Sequence, residues 1–445
     1  MNMFIRSVLL VLLLSSLGCA AQAASSAAPT KKEPPKEENM SKFDAARRFS
    51  QVLDIVQKKY VKDVTQIELI NAAVKGMLQG LDPHSSFMTA DEYKEMQEQT
   101  SGEFQGIGIE ISVENGQVVV VSPIEDTPAF RAGLQPGDVI LTIDGQPTQE
   151  LSLQEVVSRI RGPKGSEVEL GILHSDAKTP QTVRITRDAI PMISVKSSPL
   201  DDGYFWIRLT RFNERTSEEL ETALKQAAKD AAPSGGIRGI ILDLRNNPGG
   251  LLDEAVKVSD IFLKSGDIVS IKGRDDSSRH VYAAKNEPDD VEAPLVVLIN
   301  AGSASASEIV AGALRDQKRA LILGERSFGK GSVQNIMPLA DGSGLKLTVA
   351  LYYTPNGSSI QAEGIVPDVE VVFEPPKTED KETPRLTLRE QDLNRHLENN
   401  KDKKPTKPKD TKDEGKEQLS RDNQLRMGLQ MVKTLPKIQE IKSGK

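Results

Sequence analysis

An α/β protein built of several parts is the fold class this sequence predicts, and three observations predict it. Two apolar runs end in small-residue turns that open helices: "IRGIILDLR" (237–245) enters "NNPGG", and "PLVVLIN" (294–300) enters "AGSAS". Strands that end this way and feed helices read as βαβ units, which put a site at the strand tips. Residues 102–187 have another character, with short alternating or apolar strands broken by turns such as "ENG", "QPGD" and "DG". Both ends of the chain look helical or solvated.

The chain has 445 residues, enough for two or three domains, with 38% hydrophobic and 27% charged residues. A net charge of −7 offers no basic surface, so nucleic acid is not an expected partner.

The N-terminus reads as an export signal. Arg6 gives the positive start, "SVLLVLLLSSLG" (7–18) is an apolar stretch too short for a comfortable membrane span, and "AQA" (21–23) is a cleavage site. The signal peptide is therefore expected at 1–23, with Ala24 as the first mature residue and a bacterial periplasm as the destination. Cys19, the single cysteine, follows Gly18 as a lipid-attachment cysteine would, but Ser16 stands where lipoproteins usually carry Leu. Simple cleavage is the favoured reading and a lipid anchor at Cys19 the lesser one. Cleavage leaves a mature chain without disulfide, thiol nucleophile or cysteine-held metal.

A charged, Pro-rich tether fills 24–40, and 41–100 turns helical. "FSQVLDIVQKKYV" puts Phe49, Leu53, Val56 and Tyr60 on one stripe, either core or subunit contact. "ELINAAVKGMLQGL" is a second helix, stopped by Gly80 and "DPHSS". The strand-rich part spans 101–187. The α/β part spans 188–373 and adds the helices "SEELETALKQAAKDA", "LLDEAVKVSDIFL" and "ASEIVAGALRD" to strands "YFWIRLTRF", "ALILGE" and "LKLTVALYYTP". Lys, Asp, Glu, Pro and Thr dominate 374–418, a solvated connector of disordered character. Within 419–445, "QLRMGLQMVKTLPKI" forms a last amphipathic helix, docked or exposed.

The turn "AGSASASE" carries Ser303, Ser305 and Ser307. Taken alone, Ser305-x-x-Glu308 is best explained as a capping box, worth about 1 kcal/mol. The same place suits a nucleophile, because free N–H groups at a helix start favour an oxyanion. A base must come from elsewhere. His84, His174, His280 and His396 do not sit in strand-end turns of the α/β part. Lysine can serve if burial lowers its pKa. "GERSFGKGS" (324–332) misses a phosphate-binding loop by one residue, since Gly331 stands where a Ser or Thr would hold magnesium. Its Lys330, flanked by glycines and Phe328, is an ordinary loop lysine on this evidence alone and a candidate base.

The segments "QGIGIEI" (105–111), "SPIEDTPAFRAGLQPGDVILTIDG" (122–145) and "VVSRIRGPKGSEV" (156–168) resemble a PDZ domain. The peptide-binding residues would be Gly106, Ile107, Gly108 and Ile109, with small glycines letting N–H groups converge on a carboxylate and the strand at 107–111 adding a peptide. Arg161, at the end of the flanking helix, is a candidate sensor of the bound tail, or merely a complement to its helix dipole.

"LDPHSSFM", "LDLRNNPGGLL", "GSASASEI", "GERSFGKGSVQ" and "LKLTVALYYTPNGSSIQAEGIVPDV", with the PDZ stretch, make residues 45–372 resemble the C-terminal processing (tail-specific) proteases. The resemblance implies a multidomain α/β fold: a ClpP/crotonase-like protease core with an inserted PDZ β-domain and helical N- and C-terminal arms. It also implies Ser305 as nucleophile, Lys330 as general base and Gln334 as its positioning residue, with no metal and no cofactor. The oxyanion hole would use Ala306 and Gly249 or Gly250, which the sequence does not separate. Expected partners are unstructured C-terminal tails of exported or envelope proteins, a second copy in a homodimer or higher homo-oligomer, and an adaptor. A catalytically inactive PDZ adaptor is the alternative, disfavoured because Ser305, Lys330 and Gln334 are all present.

Overall fold

A computed structural model describes residues 40–174, 177–275, 279–375 and 411–443. The expected signal peptide, Cys19, nearly all of the tether and most of the charged connector lie outside the described residues. Two compact units divide the chain, one reaching to Ile70 and one spanning Asn71–Lys445.

In the first unit, the helix Lys42–Lys59 starts at Ser41, whose hydroxyl accepts the Asp44 N–H at 3.1 Å. None of its residues is buried. Phe49 and Tyr60 stay 47% and 56% exposed, so their stripe is not a core of this chain.

The second unit contains a six-stranded sheet in the order Val195–Asp201, Tyr204–Leu209, Gly239–Asp243, Leu295–Ile299, Leu321–Gly324, Val369–Glu370. Its first pair is antiparallel and the others are parallel. Every residue of Gly239–Asp243 and Leu295–Ile299 is buried, as continuous apolar strands covered on both faces should be. Leu220, Val258 and Val310, from the helices Thr216–Ala231, Leu252–Asp260 and Ala306–Asp316, share one core with Ile207, Leu242 and Val297. Leu425, Leu429 and Val432 of the helix Asn423–Ser443 pack with Trp206, Ile241 and Leu298. The last helix is therefore docked. The helix Thr411–Arg421 begins inside the segment whose composition reads as connector. Its charges hid a contact that only glycine permits, because a Cβ on Gly415 would meet the Pro199 carbonyl oxygen.

A second sheet orders Ser86–Met88, Gly344–Tyr353, Asp267–Gly273 and His280–Ala283, with Ser332–Pro338 also paired to Gly344–Tyr353. The predicted helical region 41–100 thus closes with a strand of this sheet and the helix Ala90–Ser101.

The inserted β-domain runs Ile109–Glu114, Gln117–Pro123, Val139–Ile143, Glu167–Leu173, Gln181–Thr186 around the helix Leu153–Ile160. Asn115 and Gly116 both have positive φ, which makes "ENG" a two-residue hairpin of the favoured hand. The chain enters and leaves this domain through a ribbon, Glu103–Gly106 antiparallel to Asp188–Pro191.

Candidate active site

Three neighbouring parallel strands, Gly239–Asp243, Leu295–Ile299 and Leu321–Gly324, deliver their C-terminal ends to one cavity of about 520 Å3. Ser305, Lys330, Gln334, Gly249 and Gly250 all line it.

The three serines divide their work. Ser303 Oγ donates to the Leu244 carbonyl at 2.8 Å and Ser307 Oγ to the Asn247 carbonyl at 2.9 Å, binding this turn to the neighbouring "NNPGG" turn. Ser305 is held at φ 55°, ψ −113°, a conformation costly for any residue with a Cβ. It has the layout of a capping box with Glu308, yet its hydroxyl makes no cap hydrogen bond; the Glu308 N–H donates to the Ser305 carbonyl at 2.9 Å. The Ser305 hydroxyl instead meets the phenol of Tyr352, a residue only 4% exposed, whose pKa burial pushes up to about 12.

Glu308 does far more than cap. Its buried Oε2 accepts the N–H groups of Ser305 at 2.8 Å and Lys330 at 2.9 Å. Oε1 accepts the Ser327 hydroxyl at 2.6 Å and the Gly329 N–H at 2.7 Å. One carboxylate thus ties the serine turn to the lysine loop. Burial raises its pKa, against the pull of these four donors.

Lys330 is half-buried and its ammonium makes no hydrogen bond or ion pair among the described residues. Burial lowers its pKa, Lys346 lowers it further, and Glu308 and Asp82 oppose them. Phe328 gives it no shelter, being 62% exposed, and Lys346 is a charged neighbour that the local sequence did not reveal. The loop glycines serve close backbone packing: a Cβ on Gly331 would lie 2.4 Å from the Gln361 nitrogen. Gln334 Nε2 donates to Ser332 Oγ at 2.8 Å and Thr348 Oγ1 at 3.3 Å, not to Lys330.

The two candidate glycines differ. The Gly249 N–H donates to Asn247 Oδ1 at 2.9 Å, while the N–H groups of Gly250 and Ala306 have no acceptor among the described residues. A Cβ on Gly249 would lie 2.8 Å from the Ser305 Cβ, so the two turns touch at this point. Asn247, overlooked in the sequence, is fully buried and also donates to the Leu209 carbonyl at 2.9 Å.

In the β-domain, Ile109–Glu114 is an edge strand. The N–H groups of Ile107 and Gly108 have no acceptor among the described residues, while their carbonyls bind Ala129 and Ile124. Gly108, at φ 80°, has no room for a Cβ, which would lie 2.4 Å from the Thr127 Cβ. Gly106 needs no such licence: it sits in the ribbon with ordinary contacts around its Cβ position. Arg161 Nη1 donates to Glu98 Oε2 at 3.1 Å and its guanidinium lies 5.2 Å from the centre of the Phe104 ring. Glu98 belongs to the helix Ala90–Ser101, whose Met96, Gln99 and Thr100 line the Ser305 cavity.

Comparisons with known proteins give the family. Residues 203–371 match peptidase family S41, residues 119–173 a PDZ domain, and residues 13–92 the N-terminal domain of the activating protease CtpB. The carboxy-terminal-processing protease of Bartonella bacilliformis is 46% identical over 351 residues, 79% of this chain and 80% of that one. The carboxyl-terminal-processing protease of Synechocystis is 41% identical over 332 residues, covering 72% and 75% of the two chains. The carboxy-terminal processing protease CtpA of Bacillus subtilis is 36% identical over 330 residues, covering 74% and 69%. Among solved structures, the photosystem II D1 C-terminal processing protease aligns with a TM-score of 0.42 and 32% identity, covering 73% and 92%. The chain belongs to the carboxy-terminal processing proteases, serine peptidases of family S41 that carry a PDZ domain.

Proposed function

We propose that Ser305 is the nucleophile, Lys330 the general base and Gln334 its orienting partner in an exported endopeptidase that trims proteins near unstructured C-terminal tails. One observation carries the assignment. Of the three serines in the turn, Ser305 alone gives its hydroxyl to no backbone carbonyl, meeting the Tyr352 phenol instead, in a strained elbow at a helix N-terminus.

Ser305 Oγ attacks the scissile carbonyl carbon while neutral Lys330 Nζ takes its proton. The oxyanion is received by the free N–H groups of Gly250 and Ala306, with Gly249 bracing the turn. The lysine returns the proton to the leaving amine, then deprotonates the water that hydrolyses the acyl-enzyme. Ser305 meets Tyr352 here, and Gln334 commits Nε2 to Ser332 and Thr348, so Gln334 would engage Lys330 through Oε1.

The unengaged N–H groups of Ile107 and Gly108, beside the open edge Ile109–Glu114, suit the carboxylate of an incoming tail. Arg161 would report occupancy through Glu98. Export to a bacterial periplasm, tails of envelope proteins as substrates, an adaptor, and a homodimer or higher homo-oligomer formed on the uncovered stripe of Lys42–Lys59 complete the reading. No helix among the described residues is long and apolar enough to cross a membrane.

Ser305→Ala should abolish cleavage of a tail peptide while leaving the fold and peptide binding intact. A purified variant that still cuts at the wild-type rate removes Ser305 from the mechanism.

A further inference from the structure

The turn after the helix Gln66–Gln79, Asp82–Ser85, has no role in the chemistry so far. Its hydrogen bonds lead directly to the proposed catalytic glutamine. Asp82 Oδ1 accepts the N–H groups of His84 and Ser85, both at 2.8 Å, and its Oδ2 accepts the Ser85 hydroxyl at 2.7 Å. Those bonds fix the carboxylate within its own turn. Oδ1 also accepts the Thr348 hydroxyl at 3.1 Å, and Ser85 Oγ accepts the Thr348 N–H at 3.1 Å.

The direction of this chain is dictated by its first member. Burial pulls the His84 ring pKa down and Lys330 lowers it further, which places the turn beside that lysine. The Asp82 carboxyl sits below its ordinary value because its donors outweigh the burial that would raise it, so it is ionised and can only accept. Thr348 must therefore give its single hydroxyl proton to Asp82. Its oxygen is then left as an acceptor, and Gln334 must offer it Nε2, at 3.3 Å. Reversing the amide would set Oε1 against the Thr348 oxygen, acceptor against acceptor, because the Thr348 proton is already given to Asp82. Gln334 Oε1 is left without a partner among the described residues, the one amide atom able to accept an N–H from lysine.

We propose that Asp82 is a positioning residue for the reaction: acting through the Thr348 hydroxyl, it sets which end of the Gln334 amide is offered to Lys330. This rests on the catalytic assignment of Lys330 and Gln334 made above. A purely electrostatic role for Asp82 has the opposite consequence. Its negative charge favours the charged lysine, so removing it would help the base rather than harm it.

The test uses the full chain, a peptide with a free C-terminal carboxylate, and separate kcat and KM values. Thr348→Val, which keeps the shape and loses the hydroxyl, should lower kcat about tenfold with KM little changed. Thr348→Ser should restore it, and Asp82→Ala, which removes the acceptor that an Asn oxygen would keep, should lower kcat like Thr348→Val. The deciding measurement is the double variant: in a Gln334→Ala background Thr348→Val should cost nothing further. An undiminished cost in that background overturns the proposal. So does an Asp82→Ala enzyme that is faster, with the acid limb of its pH profile moved to lower pH. Full kcat in Gln334→Ala alone would instead overturn the catalytic assignment, and the relay with it.

Discussion

Replacing Glu308 by Gln tests whether one carboxylate holds the serine turn and the lysine loop together. The substitution is isosteric but keeps only one acceptor oxygen for four donors. The amide nitrogen has a cheaper side to face. The Ser327 hydroxyl can rotate and accept from it, although Ser327 Oγ already accepts the Ile365 N–H at 2.6 Å. The Gly329 N–H then loses its acceptor, and the two bonds to Ser305 and Lys330 fall from charge-assisted to neutral. Hydrogen bonds to a charged group contribute about 1.5–3 kcal/mol and neutral ones about 1 kcal/mol, so one bond lost and two weakened cost about 5 kcal/mol at the middle of these ranges. That is a large share of the roughly 5–15 kcal/mol of a folded domain, so the variant should fold with a much lower melting temperature. Its kcat should fall about a hundredfold, the usual cost of a reacting group displaced by about 1 Å. Differential scanning calorimetry and steady-state cleavage of a tail peptide measure the two effects. An unchanged melting temperature with kcat within about twofold of wild type refutes the coupling.

The lysine can be tested by charge and by pH. Lys330→Arg keeps the charge and cannot deprotonate, so it should be as inactive as Lys330→Ala; substantial activity in it would assign the position to charge rather than basicity. Burial and Lys346 hold the Lys330 pKa below the ordinary lysine value, and the neutral form is the base. Activity should therefore rise with pH and reach its plateau earlier than a free lysine would allow. Lys346→Ala should move that limb to higher pH, and a shift to lower pH contradicts the sign. Arg161→Ala loses a partly exposed ion pair, worth about 0–1 kcal/mol, so its melting temperature should hardly change while cleavage changes strongly. Amidating the substrate C-terminus should then weaken wild-type cleavage far more than the variant's, and equal loss in both ends the sensor role. At 305, glycine relieves a strained φ that alanine retains, so Ser305→Gly should melt above Ser305→Ala; the reverse order contradicts the strain.

Much of this was legible because the signals are local. Continuous apolar runs at 239–243 and 295–299 named the parallel strands, and the small-residue turns after them pointed to the candidate site. "ENG" named its hairpin because only Asn and Gly take two positive φ values cheaply. What stayed hidden depends on partners far away in the chain. Glu308 read as a cap because its acceptance of Gly329 and Lys330 closes over 21 and 22 residues. The link from Asp82 to Thr348 closes over 266 residues, so "DPHSS" read as a helix stop and a segment of the family resemblance, with no bond to Thr348 in view. Gly249 and Gly250 became distinguishable only once the Asn247 side chain was seen to occupy one of their two N–H groups. The helix Thr411–Arg421 escaped because its composition is that of a solvated connector.

Ser305 occupies a backbone conformation that works against folding by about 1–3 kcal/mol. Selection for turnover and selection for heat resistance therefore pull this position in opposite directions. A population screened for thermal survival alone would drift to glycine here, because it loses only a small hydroxymethyl group and gains a relaxed elbow. On the assignment proposed above, the PDZ residues lie elsewhere and would be untouched, so the result would be a tougher protein that still captures tails and never releases them cut. On that assignment, an active protease and an inert trap for its own substrates are separated in this fold by one side chain.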